Sequence, residues 1–263
     1  MGIGCNITGE RKNAMTGSKG KAAADTERDI ETYWKGRRKI SQLAMEYVSR
    51  INPDDIRRKM EKLNLEIFPA ICFSRNIGVG ALALAEIVGK RMNRRVIDRQ
   101  IIEYISNDTE LSRESIQTFD ERRPGRLKEI LCLLLGDRAF DLTDYARHLF
   151  MTAFFLAHTE EAIFVGRGIH LMLPRSKVFA VRCIGSMELR VKNIAKTLAV
   201  DEKKAKQIIQ QADQEQAEFF RKAHGKTSAP SHEFDMVLNF DNIRDMDAAA
   251  KAIEILYQNR FQG

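Results

Sequence analysis

The stretch from Ala70 to Met92, AICFSRNIGVGALALAEIVGKRM, constrains what this 263-residue chain can fold into more than any other. It reads as a short apolar strand, a small turn holding Gly78 and Gly80, and then a helical pattern. A strand that feeds a helix through a glycine turn aims a row of backbone N–H groups and a helix N-terminus at one point, which suits an anion such as phosphate. The full phosphate-loop motif G-x-x-x-x-G-K-[ST] places Lys and Ser or Thr straight after the second glycine, whereas here Ala81, Leu82 and Ala83 follow Gly80. The turn is therefore either a phosphate cradle without its usual cation or an ordinary strand-to-helix connection in an α/β domain.

The rest of the chain repeats the alternation. Val96-Ile97 is a short apolar run ending at Asp98, and Ala162 to Val165 reads as a buried strand closed by Gly166-Arg167-Gly168. Val178 to Ile184 and Phe234 to Phe240 supply two more strands. Helical patterns cover Arg99 to Ile105, Leu127 to Leu135, Arg138 to His158, Met187 to Leu198, Asp201 to Lys222 and Asp245 to Tyr257. Strands alternating with helices predict an α/β fold, a mostly parallel sheet covered by helices on both faces. A carboxylate at a strand end, such as Asp98, then points into the region where ligands of such sheets collect. Gly225-Lys226-Thr227 spells the tail of a phosphate loop but follows a long helix, so Gly225 is expected as a helix C-cap.

Ahead of this domain, residues 1–25 mix Gly, Lys, Ser, Thr and Ala and read as a flexible basic arm. Residues 26–66 read as a helical extension, one helix carrying Trp34 and a second restarted at Asn52-Pro53. Its apolar faces predict packing on the main domain, on a protein partner, or in self-association through residues 26–64. The main domain occupies 67–263.

The formal net charge is +7, and residues 1–66 hold 14 Lys and Arg against 10 Asp and Glu, so more than half the surplus sits in the arm and extension. No aromatic-basic interleaving or zinc-finger spacing accompanies it, so no nucleic acid is expected and phosphate ligands are the economical partners. Cys5, Cys72, Cys132 and Cys183 show no paired spacing, which indicates neither a disulfide framework nor a zinc site and leaves reduced thiols in a cytoplasm as the expectation, and the five histidines show no ligand spacing. No apolar run approaches a membrane span, and the N-terminus lacks a secretory core.

FSRNIGVG, VIDRQIIEYIS, FDERRPGRL, FVGRGIHLML, the ELR of Glu188 to Arg190, and ADQEQAEFFRKAHGK, taken as an ordered set over about Pro69 to Ile243, resemble the cytidylate kinase-like family of nucleoside monophosphate kinases. The family's pattern runs S-R-x-x-G-S-G-G, then Y-D-K/R before a helix, D-E-x-x-P, V-G-R, and a lid with arginines and D-x-x-R-x-x-Y-Y. The resemblance implies a P-loop fold with a five-stranded parallel core, an acceptor-binding region after the second strand, and a helical lid at about 187–230. It implies ATP and Mg2+, with a pyrimidine nucleoside monophosphate, CMP or dCMP, as acceptor. Ser74, Arg75, Gly78, Val79 and Gly80 match the ATP phosphate loop; Asp98, Arg99 and Arg167 match acceptor contacts. Arg167, Arg190 and Arg221 are the implied catalytic cations, and Asp213 sits where the family has its lid aspartate.

The departures cluster in the loop and lid. Ala81 replaces the second of the paired glycines, Asn193 and Gln216 replace lid arginines, Phe219-Phe220 replace two tyrosines, and His170 stands where Asp or Asn is usual. Each missing charge contact removes transition-state stabilisation. Two functions are thus expected: a phosphoryl transferase, or a catalytically weakened nucleotide-binding regulatory module that docks a partner through its N-terminal helices.

Overall fold

The structure, a computed structural model, describes residues 66–102 and 144–262. The arm, the helical extension with Trp34, and the FDERRPGRL segment lie outside the described residues. In chain order the elements are β1 (Ala70–Arg75), α1 (Ala81–Met92), β2 (Arg95–Asp98), α2 (Asp144–Thr159), β3 (Ala162–Val165), β4 (Val178–Ile184), α3 (Met187–Leu198), α4 (Glu202–His224), β5 (Met236–Asn239) and α5 (Met246–Phe261). The five strands form one sheet in the order β2-β3-β1-β4-β5, and every neighbouring pair is parallel. This is the α/β parallel sheet that the alternation predicts.

The period-two alternation of the strands divides the core between two faces. Ile71 and Phe73 of β1, with Phe179, Val181 and Cys183 of β4, pack with Leu84 and Val88 of α1 and Ile253 and Tyr257 of α5. Cys72, Phe164 and Ala180 point the other way and pack with Leu149, Phe150 and Phe154 of α2. Because both faces are covered, the strands read as continuous apolar runs. Each large side chain removed from water here contributes about 1.5–3 kcal/mol. At the end of the sheet away from the glycine turn, Arg94 donates to Glu161 at 2.6 Å and lies 4.2 Å from the ring centre of Tyr257. Tyr257 in turn donates to the Pro69 carbonyl, tying the C-terminal helix to the start of β1. Burial pushes its phenol up to about 12.

Three of the helices begin with a side-chain cap. Ser186 accepts from the Leu189 N–H, Asp201 from the Lys204 N–H, and Asp245 from the N–H groups of Asp247 and Ala248. Helix α1 begins at Gly80 with no side-chain cap.

Strand β5 is shorter than the apolar run from Phe234 to Phe240. The Phe234 N–H is taken by the Ser231 carbonyl in a 3-10 turn, and beside it the Asp235 carboxylate, in place of a backbone carbonyl, accepts from the Ala180 N–H of β4. Helix α4 runs to His224 and stops at Gly225, which has φ 63° and donates to the Arg221 carbonyl. The expected C-cap is therefore present, and Lys226 beyond it pairs with Glu233. Among the described residues no helix is long and apolar enough to cross a membrane.

Candidate functional site

Strands β2 and β3 end level with each other, and β1 runs on past them to Arg75. Phe73 and Asp98 both stand in register with Val165, and the Gly166 N–H donates to the Phe73 carbonyl. The glycine turn after β1 and the Gly166-Arg167-Gly168 turn after β3 consequently share the C-terminal edge of the sheet, where ligands of open α/β sheets bind.

The first turn has its polar groups sorted. Its carbonyls are occupied: Gln216 Nε2 donates to Arg75 O at 3.1 Å, Arg190 Nε to Ile77 O at 2.8 Å, Asn193 Nδ2 to Gly78 O at 2.8 Å, and the Leu84 N–H to Gly80 O. Among the described residues, the backbone N–H groups of Ile77, Gly78 and Gly80 donate to no acceptor. The first-turn N–H groups of α1 add the orphan donors of any helix start. Gly78 adopts φ 83°, and a Cβ placed on it would lie 2.9 Å from the Arg190 carbonyl oxygen, so both the backbone angle and the close approach of α3 require glycine. Gly80 also has a positive φ, 96°, but a Cβ there would make only ordinary contacts with Met246 and Phe240. Between them Val79 is fully buried and anchors the turn in the α1 face of the core.

Helices α3 and α4 press their polar side chains onto this turn. Arg190 is buried, and besides Ile77 O it bonds Asp213 Oδ1 at 2.7 Å. The same carboxylate oxygen accepts from Asn76 Nδ2 at 3.3 Å. Asn76 Oδ1 accepts from Arg182 Nη2 at 2.8 Å, and the Nη1 of Arg182 donates to Ser74 Oγ at 2.7 Å. A chain of hydrogen bonds therefore runs from β4 through the turn to both helices. Asn193 and Gln216 put amides on the carbonyls of the turn.

The second turn is built differently. Gly166, Arg167 and Gly168 all have positive φ, and Arg167, at 53°, is a non-glycine in the left-handed region, a conformation that costs energy and collects at functional sites. It is held by α4: the Arg167 guanidinium lies 4.2 Å from the ring centre of Phe219, and His224 Nε2 donates to the Arg167 carbonyl at 3.2 Å. That carbonyl can only accept, so His224 carries its proton on Nε2. His170 follows the turn, buried 4.8 Å from the Phe234 ring centre, and among the described residues its Nε2 has no hydrogen-bond partner. Burial first, and then the charges of His224, Arg182, Arg175 and Lys226, push its pKa down to about 3, so it stays neutral at ordinary pH.

The structure thus brings together Ser74, Arg75, Gly78, Val79, Gly80, Arg190 and Asp213 around the first turn, and sets Arg167 on the second. Asp98 is buried at the end of β2 and its Oδ1 accepts from the Ile101 N–H, capping the helical turn that starts at Arg99. The exposed Arg99 adjoins Gly166, where a Cβ would meet Arg99 Cβ at 4.0 Å. Arg221 is exposed on α4, outside the network that joins Asp213 to the turn. The sequence reading missed Asn76 and Arg182. An arginine inside the apolar run VFAVRCI was the available sign of the second. A cleft of about 910 Å³ opens at the other end of the sheet, beside Lys90, Arg94 and Arg95. Arg94 and Arg95 pair there with Glu161 and Glu160, so they are already neutralised.

A solved structure of an uncharacterized protein from Eubacterium ventriosum superposes with a TM-score of 0.54 at 17% identity, covering 73% of this chain and 98% of that one. Shikimate kinase from Bacteroides thetaiotaomicron gives a TM-score of 0.40 at 13% identity over 72% of this chain and 98% of its own. No curated protein sequence matches the chain. The profile of the cytidylate kinase-like family matches residues 70–242, a span that holds both turns and helices α3 and α4, and the chain belongs to that family.

Proposed function

We propose that this protein transfers a phosphoryl group from ATP to a pyrimidine nucleoside monophosphate of the CMP or dCMP kind. The observation that carries the reading is the sorting of the glycine turn, whose carbonyls are held outward by Gln216, Arg190 and Asn193 while Ile77, Gly78 and Gly80 keep their N–H groups for an anion. Phosphoryl transfer needs positioning and charge neutralisation more than covalent chemistry, and such a cradle supplies the first directly. In this reading the turn and the start of α1 bind the ATP phosphates, and Arg190 and Asp213 keep the turn in shape. Arg167 and Arg99 face the acceptor, with Asp98 fixing the backbone that presents Arg99. Arg221, on the outer side of α4, reaches phosphate only if the lid moves.

The family implies Mg2+, which would supply neutralisation of phosphate charge. Among the described residues no three His, Cys, Asp or Glu side chains converge; the ion would be held mainly by the nucleotide's phosphates and water, a common arrangement for this metal.

A second reading is favoured by one observation. Asn193 and Gln216 spend their polar groups on backbone carbonyls and carry no charge, so the clamp has fewer cations than the family pattern. On that reading the protein binds nucleotide without turnover and signals through residues 26–64. A coupled ADP-release assay over the common nucleoside monophosphates decides between them. Release stimulated by CMP or dCMP supports the kinase; ATP binding without release under any acceptor supports the regulatory module.

A further inference from the structure

We propose that Arg182 is a positioning residue of the phosphate site, setting the glycine turn from below and supplying there the positive charge that Asn193 and Gln216 lack. The proposal rests on the kinase reading, because it assigns the anion as a nucleotide phosphate.

Arg182 stands in β4 opposite Ser74 of β1, on the sheet face that carries Cys72 and Ala180. Parallel strands covered on both faces are apolar, and the neighbours of Arg182 along β4, Val181 and Cys183, are buried. An arginine at this place needs a reason. Its two terminal nitrogens are spent on neutral acceptors, Ser74 Oγ at 2.7 Å and Asn76 Oδ1 at 2.8 Å. Among the described residues it has no carboxylate at ion-pair distance, whereas Arg190, Arg94 and Arg95 each have one. A half-buried guanidinium with no counter-ion of its own is costly unless an anion joins it.

The two acceptors are themselves part of the turn. Ser74 is the penultimate residue of β1, and Asn76 leads into the glycines. Accepting from Arg182 fixes which way the Asn76 amide points, so that its Nδ2 faces Asp213 and, through that carboxylate, Arg190. Arg182 and Arg190 thus flank the turn, and the one carboxylate in the network, Asp213, is already shared between Arg190 and Asn76. The surplus is positive. Burial lowers the Arg182 pKa from its ordinary value, the Arg190 charge adds to that, and the Asp213 carboxylate opposes it. The opposite charge of a bound phosphate offsets both the cost of desolvation and the repulsion.

The test uses the full chain and two probes, Mg·ATP and inorganic tripolyphosphate, titrated calorimetrically at several salt concentrations. Arg182→Gln keeps a donor for Ser74 or Asn76 and loses the charge; Arg182→Lys keeps the charge and loses the planar fork. The expected result is at least a tenfold loss of affinity for both probes in the Gln variant, with a shallower salt dependence, and a loss of no more than about threefold in the Lys variant. Wild-type affinity and salt dependence in the Gln variant overturn the proposal, as do equal losses in the two variants. If the Gln variant does not fold, the Lys variant decides alone: retained affinity supports the charge role, and a loss beyond tenfold overturns it. A wild type that binds tripolyphosphate but not ATP removes the kinase reading, and Arg182 is then judged on tripolyphosphate. A wild type that binds neither probe removes both.

Discussion

Two turns share the C-terminal edge of the sheet, and they solve the problem of presenting a polar group in opposite ways. The turn from Ser74 to Gly80 presents backbone. Its side chains are buried or drawn aside, its carbonyls are tied to α3 and α4, and its amides remain. The turn from Gly166 to Gly168 presents a side chain: the backbone is bent left-handed at three successive residues to project Arg167 onto Phe219. The first should fail when anything fills its interior or frees its carbonyls. The second should fail only when Arg167 loses its support.

The largest effect is expected from Gly78→Ala, which adds a Cβ against the Arg190 carbonyl oxygen on a backbone of positive φ. We expect a loss of about 2–4 kcal/mol by urea unfolding and no thermal shift with ATP. The same change at Gly80, where there is room, should cost only the strain of the angle, about 1 kcal/mol. Equal costs at the two positions would show that close packing of α3 plays no part in shaping the turn.

Next comes Arg190→Ala. It strips Ile77 O of its donor and leaves Asp213 half-paired in a partly buried place, for an expected loss of about 2–3 kcal/mol. Hydrogen exchange should quicken in α3 and α4 and leave α2 unchanged. Protection of α3 that survives the substitution would mean that the amides of Asn193 and Gln216 hold α3 and α4 on the turn by themselves.

The second turn can be followed through His170, two residues beyond Gly168. Its folded pKa, about 3, lies below the ordinary 6.5, so between those values the unfolded chain binds a proton that the folded chain does not. Stability from this residue is complete above about pH 6.5 and is lost as the pH falls toward 3. His170→Leu should flatten the unfolding free energy across that window. An unchanged acid limb would place the burden on other groups.

Smaller still is Phe219→Leu, which removes the ring beneath Arg167. A loss of about 0.5–2 kcal/mol is expected, with acceptor KM raised and ATP affinity unchanged; a change in ATP affinity would mean that the turns are not independent. Smallest in stability is Arg221→Ala at an exposed site, within about 0.5 kcal/mol. A strong fall in turnover beside that unchanged stability would mark Arg221 as a contact made only when the lid closes.

What the sequence showed and what it hid follow from range. Strands such as Ala162–Val165 and Val178–Ile184 are legible because a strand covered on both faces is an unbroken apolar run. Helix α3 is bounded by its Ser186 cap, and α4 by Gly225. The glycine turn is legible as a local strand-loop-helix unit. How it is completed is not, because its partners Arg182, Arg190, Asn193, Asp213 and Gln216 come from β4 and two helices up to 141 residues away from it in sequence, and nothing local says which carbonyl or amide each one meets. Asn193 and Gln216 read in one dimension as absent cations. In three dimensions they are donors to the very carbonyls that must be turned away for the N–H groups to be offered.

Helix α1 starts without the side-chain cap that α3, α4 and α5 each have. An anion seated on the turn would complete it, and because only the folded chain offers that seat, stability would rise with the logarithm of ligand concentration, by about 2.7 kcal/mol at a hundredfold excess over Kd. The lifetime of the protein in a cell would then follow the abundance of its own ligand: a starved molecule unfolds and is degraded sooner than a supplied one, with no separate sensor.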